Sequence, residues 1–323
     1  MKYYNSMQDL IGNTPLVRLG NMGMPAGINL FAKLELLNPA GSVKDRIGRA
    51  MIADAEARGL LKPGGTIVEG TAGNTGLGIA FAALAKGYKV ILVIPTKFSM
   101  EKQTLVRALG ATVINTPRED GMQGAAKKAE EIRNSIEGAV SREQFKNPAN
   151  PQEHYSTTGP EIYEALSGQI DYLVCGAGSG GTYSGIMRYL KEKNGAIKGV
   201  LADPFGSTMG GGEHGDYNIE GIGNDFIPET MDMSLVDKVI KISDEDAFTG
   251  SRELARLEGI FAGSSSGGVL AAAKKLVAEI LNIEARSIGK ESLADKSPRK
   301  KDINIVLVFP DRGDRYFSKG LYE

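Results

Sequence analysis

Short runs rich in Val, Ile and Leu alternate with longer stretches of helical periodicity along this chain, and that alternation restricts the fold more than any other feature. Strands are expected at residues 30–35, 66–69, 90–95, 112–115, 172–175, 199–202 and 303–309. Helices are expected between them at 43–58, 75–86, 101–109, 123–135, 160–166, 183–193, 245–257 and 268–281. The strands are almost continuously apolar, as in parallel sheets covered on both faces. The expected class is therefore α/β, with helices flanking parallel or mixed twisted sheets.

With 323 residues the chain can bury a large core, in one large or two medium domains. Its 38 Lys and Arg nearly cancel its 39 Asp and Glu, so no global field recruits nucleic acid or anionic membrane, and a small-molecule partner is expected. The basic cluster Arg299, Lys300, Lys301 is too short to change this. No apolar stretch approaches membrane-spanning length, and MKYYNSMQDL has no signal-like apolar core, so a cytoplasmic protein is expected. One cysteine, Cys175, excludes an internal disulfide and a thiolate metal cluster. It sits in the apolar run DYLVCGAG with no basic neighbour in sequence and reads as a packed small hydrophobe. The two histidines, His154 and His214, specify no metal site, and neither is expected to be catalytic. Residues 283–302 are charged and poor in apolar side chains, which suits a solvated surface excursion or a partner-binding loop.

Glycine is over-represented, with 42 residues against a usual share of roughly 7%. Much of it falls where an expected strand gives way to a helix. After DYLVCGA come Gly178, Ser179, Gly180, Gly181 and Thr182, whose backbone N–H groups can converge with the helix start on a phosphate. The spacing fits neither the dinucleotide fingerprint nor a P-loop, which argues against NAD and ATP; a tight structural turn is the alternative. After TIVE comes Glu69-Gly70-Thr71-Ala72-Gly73-Asn74-Thr75-Gly76, whose hydroxyls, amide and helix-start N–H groups suit a carboxylate, or simply an N-cap by Asn74 or Thr75. A third cluster, residues 261–268, places Ser264, Ser265 and Ser266 before a helix. Open α/β sheets bind ligands at the carboxyl ends of their strands, so the three clusters suggest one crevice.

Lys44 stands where the Gly41-Ser42 turn enters a helix, an end that disfavours positive charge. Alone it reads as a surface lysine. Desolvated beside a phosphate cradle it would lose proton affinity, and its amine would become a nucleophile toward an aldehyde. Lysine, phosphate cradle and carboxylate loop together describe pyridoxal phosphate holding an amino acid.

The chain resembles the cysteine synthase and cystathionine β-synthase family of fold-type II pyridoxal phosphate enzymes over nearly its whole length. The resemblance rests on IGNTPLVRL, NPAGSVKDR, GTAGNTG, QFKNPANP, GSGGT, EGIG, AGSSSGG and FPDRGDRY, in the family's order and spacing. It implies a tryptophan synthase β-subunit-like fold. A smaller α/β domain is expected over 45–154, with 1–44 plus 155–323 forming the larger, and a homodimer as the assembly. It implies that Lys44 carries the cofactor, that Asn74 bonds the cofactor 3′-oxygen, that Gly178, Ser179, Gly180, Gly181 and Thr182 hold the phosphate, and that Ser265 meets the pyridine nitrogen. Thr71, Ala72, Asn74, Thr75 and Gln144 would surround the substrate carboxylate, and Gly223 would also bind the substrate. The implied reaction is β-replacement on serine, O-acetylserine or cysteine through an aminoacrylate, with Lys44 moving the Cα proton and sulfide or a thiol such as homocysteine adding at Cβ.

Two departures from the family pattern bear on specificity. The usual serine after the loop threonine is Ala72, which removes a hydroxyl from the carboxylate site. Plain cysteine synthases read G-I-G-A-G-F where this chain has Gly221-Ile222-Gly223-Asn224-Asp225-Phe226, and the acid resembles the cystathionine β-synthase branch. Asp225 would hold the amino group of a second amino acid, or act as base for water in a cysteine-degrading, sulfide-releasing enzyme; otherwise it is a solvent-facing turn residue. The chain is expected to be a minimal catalytic core without haem-binding or regulatory modules. An idle homologue serving as a binding scaffold is the non-enzymatic alternative, disfavoured by the intact Lys44, Asn74 and Ser265.

Overall fold

Two sheets organise the chain in the computed structural model, which describes residues 3–71, 73–84, 86–96, 99–288 and 302–323. Ala72, the cluster 299–301 and most of the charged stretch 283–302 lie outside the described residues. The smaller sheet has three parallel strands, β3 (Thr66–Gly70), β4 (Lys89–Pro95) and β5 (Thr112–Thr116), in that order. The larger contains β1 (Leu16–Arg18), β2 (Ile28–Leu34), β6 (Tyr172–Gly176), β7 (Lys198–Pro204), β8 (Lys238–Ile242) and β9 (Ile303–Phe309). Its order is β1-β2-β9-β6-β7-β8, parallel except for β1, which pairs antiparallel with β2.

Strand periodicity sorts side chains onto the two faces of each sheet. On one face of the larger sheet Val174, Ala202, Ile305 and Leu307 pack against α8 (Asp244–Glu258) and α9 (Ser264–Ile288). On the other, Leu173, Cys175, Val306 and Val308 pack against α6 (Gly159–Ala165) and α7 (Gly181–Lys193). The smaller sheet places Ile67 and Leu92 against α1 (Lys44–Ala57) and α2 (Asn74–Leu84), and Val68 and Val93 against α4 (Gly121–Ser135). Burial of each Val, Leu or Ile side chain among these stabilises the fold by about 1.5–3 kcal/mol. Helix α3 (Met100–Ala108) is N-capped by Ser99, whose hydroxyl accepts from the Lys102 N–H.

The seven expected strands and eight expected helices form, with ends moved by a few residues. Three features depart from expectation. Strands β1 and β8 are edge strands, one only three residues long and the other, KVIKI, interrupted by lysine. A short helix, α5 (Ala149–Glu153), continues into a π-helical turn, His154–Thr158, before α6. Helix α9 runs to Ile288, beyond its expected end at 281, so the first charged residues after it are helical.

Helices α1 and α2 cross with their backbones touching. A Cβ on Gly48 would collide with the Gly78 carbonyl, and one on Gly78 would collide with the Lys44 carbonyl. Only glycine permits this approach. Beside it runs a buried ionic cluster. Arg46 donates to Glu35 from both Nε and Nη2, each at 2.8 Å, and to Glu161 at 2.7 Å, while Lys33 donates to Glu161 at 2.6 Å. Burial raises the cost of ionising Glu35, but the guanidinium and Lys33 outweigh it and hold its carboxyl at about 2.

Candidate active site

A cavity lies beyond the carboxyl ends of the larger sheet's central strands, where strand β6 enters α7. Lys44, Cys175, Gly178, Ser179, Gly180, Thr182, Gly221 and Ile222 line it. The sequence therefore converges here as expected, with the first residue of α1 facing the glycine turn that opens α7.

Lys44 is partly buried, and its ammonium makes no hydrogen bond or ion pair among the described residues. Its backbone N–H is capped by the Ser42 hydroxyl at 3.2 Å. Desolvation pushes its amine below the ordinary lysine range, opposed by the charge of Asp311 and more weakly by Cys175. Cys175 packs into the core as expected, but it does have a basic neighbour in space. Burial pushes its thiol up, the charge of Lys44 pulls it down by less, and the thiol stands at about 12.

The turn from 178 to 182 is a cradle in which side chains do not fit. Gly180 has φ +83°, and a Cβ there would collide with Met231; a Cβ on Gly181 would collide with Asn150 Oδ1. Asn150 donates to the Gln144 carbonyl at 2.8 Å and to Ser179 Oγ at 2.9 Å, so it links the cradle to the segment carrying Gln144. Thr182 is held from the other side by His154, whose Nε2 lies 3.1 Å away. Across the cavity, the 221–223 loop is tied to the same turn, with Gly223 N–H donating to the Ala177 carbonyl at 2.8 Å and Asn224 Nδ2 to the Gly178 carbonyl.

Two further groups of expected residues come together. The Thr75 hydroxyl donates to Gln144 Oε1 at 2.7 Å, joining the start of α2 to the 144 segment. That segment is anchored by Glu69, at the end of β3, whose Oε1 accepts from Ser141 Oγ and from the N–H groups of Arg142 and Glu143. Thr71 is buried at the end of β3, its N–H on the Val93 carbonyl. Asn74 donates through Nδ2 to Asp311 at 2.6 Å and accepts at Oδ1 from Arg315.

Asp225 does not join them. It is exposed and makes no hydrogen bond or ion pair among the described residues, although its charge contributes to raising the phenol of Tyr217 to about 12, chiefly a burial effect. Its neighbour Phe226 packs edge-to-face on Phe145, beside Gln144, at 5.5 Å. Asn150, His154, Asp311 and Arg315 hold the site together, and the sequence assigns none of them a role. The motif FPDRGDRY carries two of them in plain view, but nothing in its spacing shows that its side chains reach Asn74.

The residues present fit pyridoxal phosphate. Ser265 Oγ is fully buried without a hydrogen-bond partner, and it lies beside Gly221, which lines the cavity. A group that accepts from a hydroxyl, as a pyridine nitrogen does, is the partner it lacks. The glycine turn at the N-terminus of α7 offers an anion site, and Lys44 offers the amine. Among the described residues no cluster suits a metal ion, and no helix is long and apolar enough to cross a membrane.

An open α/β fold with this lysine, cradle and buried hydroxyl defines a vitamin-B6-dependent class of enzyme. The chain belongs to the pyridoxal-phosphate dependent enzyme family, whose profile matches residues 7–286. It is 47% identical over 323 residues to an O-acetylserine dependent cystathionine beta-synthase of Bacillus subtilis (strain 168), covering all of this chain and 99% of that protein. It is 43% identical over 324 residues to a cysteine synthase of Helicobacter pylori (strain ATCC 700392 / 26695), covering 100% of both. The crystal structure of a hydrogen sulfide-producing enzyme from Fusobacterium nucleatum superposes with a TM-score of 0.87 at 38% identity, covering 97% of this chain and all of that one.

Proposed function

We propose that this enzyme catalyses β-replacement on a short amino acid bearing a β leaving group, namely serine, O-acetylserine or cysteine. Sulfide or a thiol such as homocysteine is the incoming nucleophile, and cysteine or cystathionine the product. The observation that carries the reading is the Lys44 amine, desolvated, unpaired among the described residues and facing the glycine cradle.

Pyridoxal phosphate, when bound, supplies the electron sink that lets a Cα proton and a β substituent leave an amino acid. The chain's own residues do the rest. The N–H groups of Gly178, Ser179, Gly180, Gly181 and Thr182 would hold the phosphate, Ser265 would bond the ring nitrogen and Asn74 the ring oxygen. Ser265 is neutral and leaves the ring nitrogen a weaker sink than an aspartate would, which favours elimination over transamination. Thr71, Thr75 and Gln144 orient the substrate carboxylate, aided by backbone N–H groups at the start of α2. Lys44, whose amine desolvation pushes below the ordinary lysine range, accepts the Cα proton and later returns it.

A second reading has the same first half and ends differently. Asp225 stands exposed and unpaired among the described residues, beside the 221–223 loop, where it can accept the ammonium of an amino-acid nucleophile or take a proton from water as its oxygen adds at Cβ, so that cysteine, having lost its sulfide in the first half, becomes serine. The fold of the Fusobacterium enzyme supports keeping this reading. Residues 45–154 and 1–44 plus 155–323 are proposed as two domains with the cofactor between them, in a cytoplasmic homodimer.

The decisive experiment is the absorption spectrum of the purified protein, alone and with O-acetylserine, serine and cysteine added separately, beside Lys44→Ala. A cofactor band that depends on Lys44 and shifts most with one donor supports the reading and identifies the leaving group. Absence of any band after adding pyridoxal phosphate overturns it.

A further inference from the structure

We infer that Asp311 and Arg315 are positioning residues that lock the Asn74 side-chain amide in one orientation and couple it to the turn that presents Lys44. The inference rests on the pyridoxal phosphate reading of the cleft.

An asparagine amide is nearly symmetric in shape but not in polarity, since one end accepts and the other donates twice. Here both ends are specified by neighbours of opposite kind. Arg315 Nη1, which can only donate, meets Oδ1, and Asp311 Oδ2, which as a carboxylate only accepts, meets Nδ2 at 2.6 Å. Reversing the amide would set NH2 against guanidinium and carbonyl against carboxylate, so two charge-assisted hydrogen bonds would be lost at once. Asp311 and Arg315 are themselves buried, at 2% and 4% exposure, and Asp311 is fixed by a further hydrogen bond from the Tyr316 hydroxyl. One N–H of Asn74 is consumed by Asp311. The second remains for an acceptor in the cleft, and the clamp ensures that a donor rather than the amide oxygen is offered to the ring oxygen.

Arg315 has a second hand. Its Nη2 donates to the Ala40 carbonyl, in the turn before Lys44. The backbone of that turn runs alongside the same segment, with Val43 N–H on the Pro310 carbonyl at 2.8 Å and Ser42 bridged to Asp311. One guanidinium thus spans the two segments that supply the lysine and the amide, and a Cβ on Gly41 would collide with its Nη2. Distance between the two ligating groups is set by a residue that is not expected to touch the cofactor.

The test compares full-length wild type, Arg315→Met, Arg315→Lys, Asp311→Asn, Asn74→Ala and the double variant Asn74→Ala/Arg315→Met. The readouts are the dissociation constant for pyridoxal phosphate, the absorption maximum of the bound cofactor and the melting temperature of the cofactor-free protein. Arg315→Met is expected to weaken binding about tenfold to a hundredfold, the size of a lost charge-assisted hydrogen bond, and to move the absorption maximum. Asp311→Asn moves it less, because asparagine can still accept. In the Asn74→Ala background, Arg315→Met should shift the band less than it does alone, the remainder acting through the Ala40 turn. Wild-type affinity and spectrum in Arg315→Met, or an undiminished spectral effect in the double variant, would overturn the inference. Should Arg315→Met fail to fold, unchanged spectra in both Arg315→Lys and Asp311→Asn would overturn it equally. A wild type that binds no cofactor removes the pyridoxal phosphate reading and this inference with it, whereas a normal wild type with silent variants removes the clamp alone.

Discussion

His154 Nε2 lies 3.1 Å from Thr182 Oγ1, joining a fully buried imidazole to the last residue of the glycine cradle. The other ring nitrogen, Nδ1, lies 2.8 Å from Thr158 Oγ1, one π-helical turn further along the chain. With both nitrogens occupied, the ring can fix the Thr182 hydroxyl without taking part in chemistry.

Burial, helped by the charges of Arg46 and Lys44, holds His154 down at about 3, so it stays neutral in the fold. In the unfolded chain it protonates near the usual value of about 6.5. Between those two values the unfolded state binds more protons, so His154 makes the fold lose stability as pH falls from about 6.5 towards about 3. Asp45, raised to about 7 mainly by burial, acts with the opposite sign over part of this range, and comparison at one site cancels it. The urea midpoint of His154→Gln should fall less steeply between about pH 6.5 and about pH 4.5 than that of the wild type. Parallel curves would show that the imidazole is not held neutral.

Asp225→Asn should leave the donor-dependent spectral change intact while lowering use of homocysteine or water several-fold. The reason is that Asp225 does not line the cavity holding Lys44, so under the proposed reading it meets the second reactant alone. Quantifying cystathionine, cysteine and sulfide from one donor checks this. An unchanged product ratio would make Asp225 an ordinary surface residue.

Arg46→Met should cost about 3–5 kcal/mol of folding free energy, because it strands the fully buried Glu35 without its guanidinium. A thioether in place of the guanidinium offers the carboxylate no donor with which to rebuild the lost bonds. Urea unfolding at neutral pH measures the loss. A value below about 1 kcal/mol would place the pair on the scale of surface ion pairs, and Glu35→Gln/Arg46→Met should recover part of the stability.

Much of the fold and of the cleft is legible in the sequence. Buried parallel strands are written as continuous apolar runs, and β4 and β9 can be read almost to their ends. Lys44 and the 178–182 turn are legible because their chemistry is local, a cation at a helix start and glycines after a strand. What the sequence hides is long-range. Arg315 reaches Asn74 across 241 positions and Asp311 reaches it across 237, and no periodicity encodes such a meeting. The basic neighbour of Cys175 is hidden in the same way, since Lys44 is distant in sequence and adjacent only at the cavity. Strand β8 carries little signal because its lysines break the apolar run that marks its interior companions.

The contact between Gly78 and the backbone of Lys44 has a bearing on how mutational maps of this enzyme should be interpreted. A side chain at 78 or at 48 would push the two helices apart and carry the lysine with them. Substitution there would displace Lys44 without altering its side chain, although neither glycine lines the cavity. Intolerance at such positions records how two backbones mesh, and a survey that equated it with ligand contact would draw the active site one helix too wide.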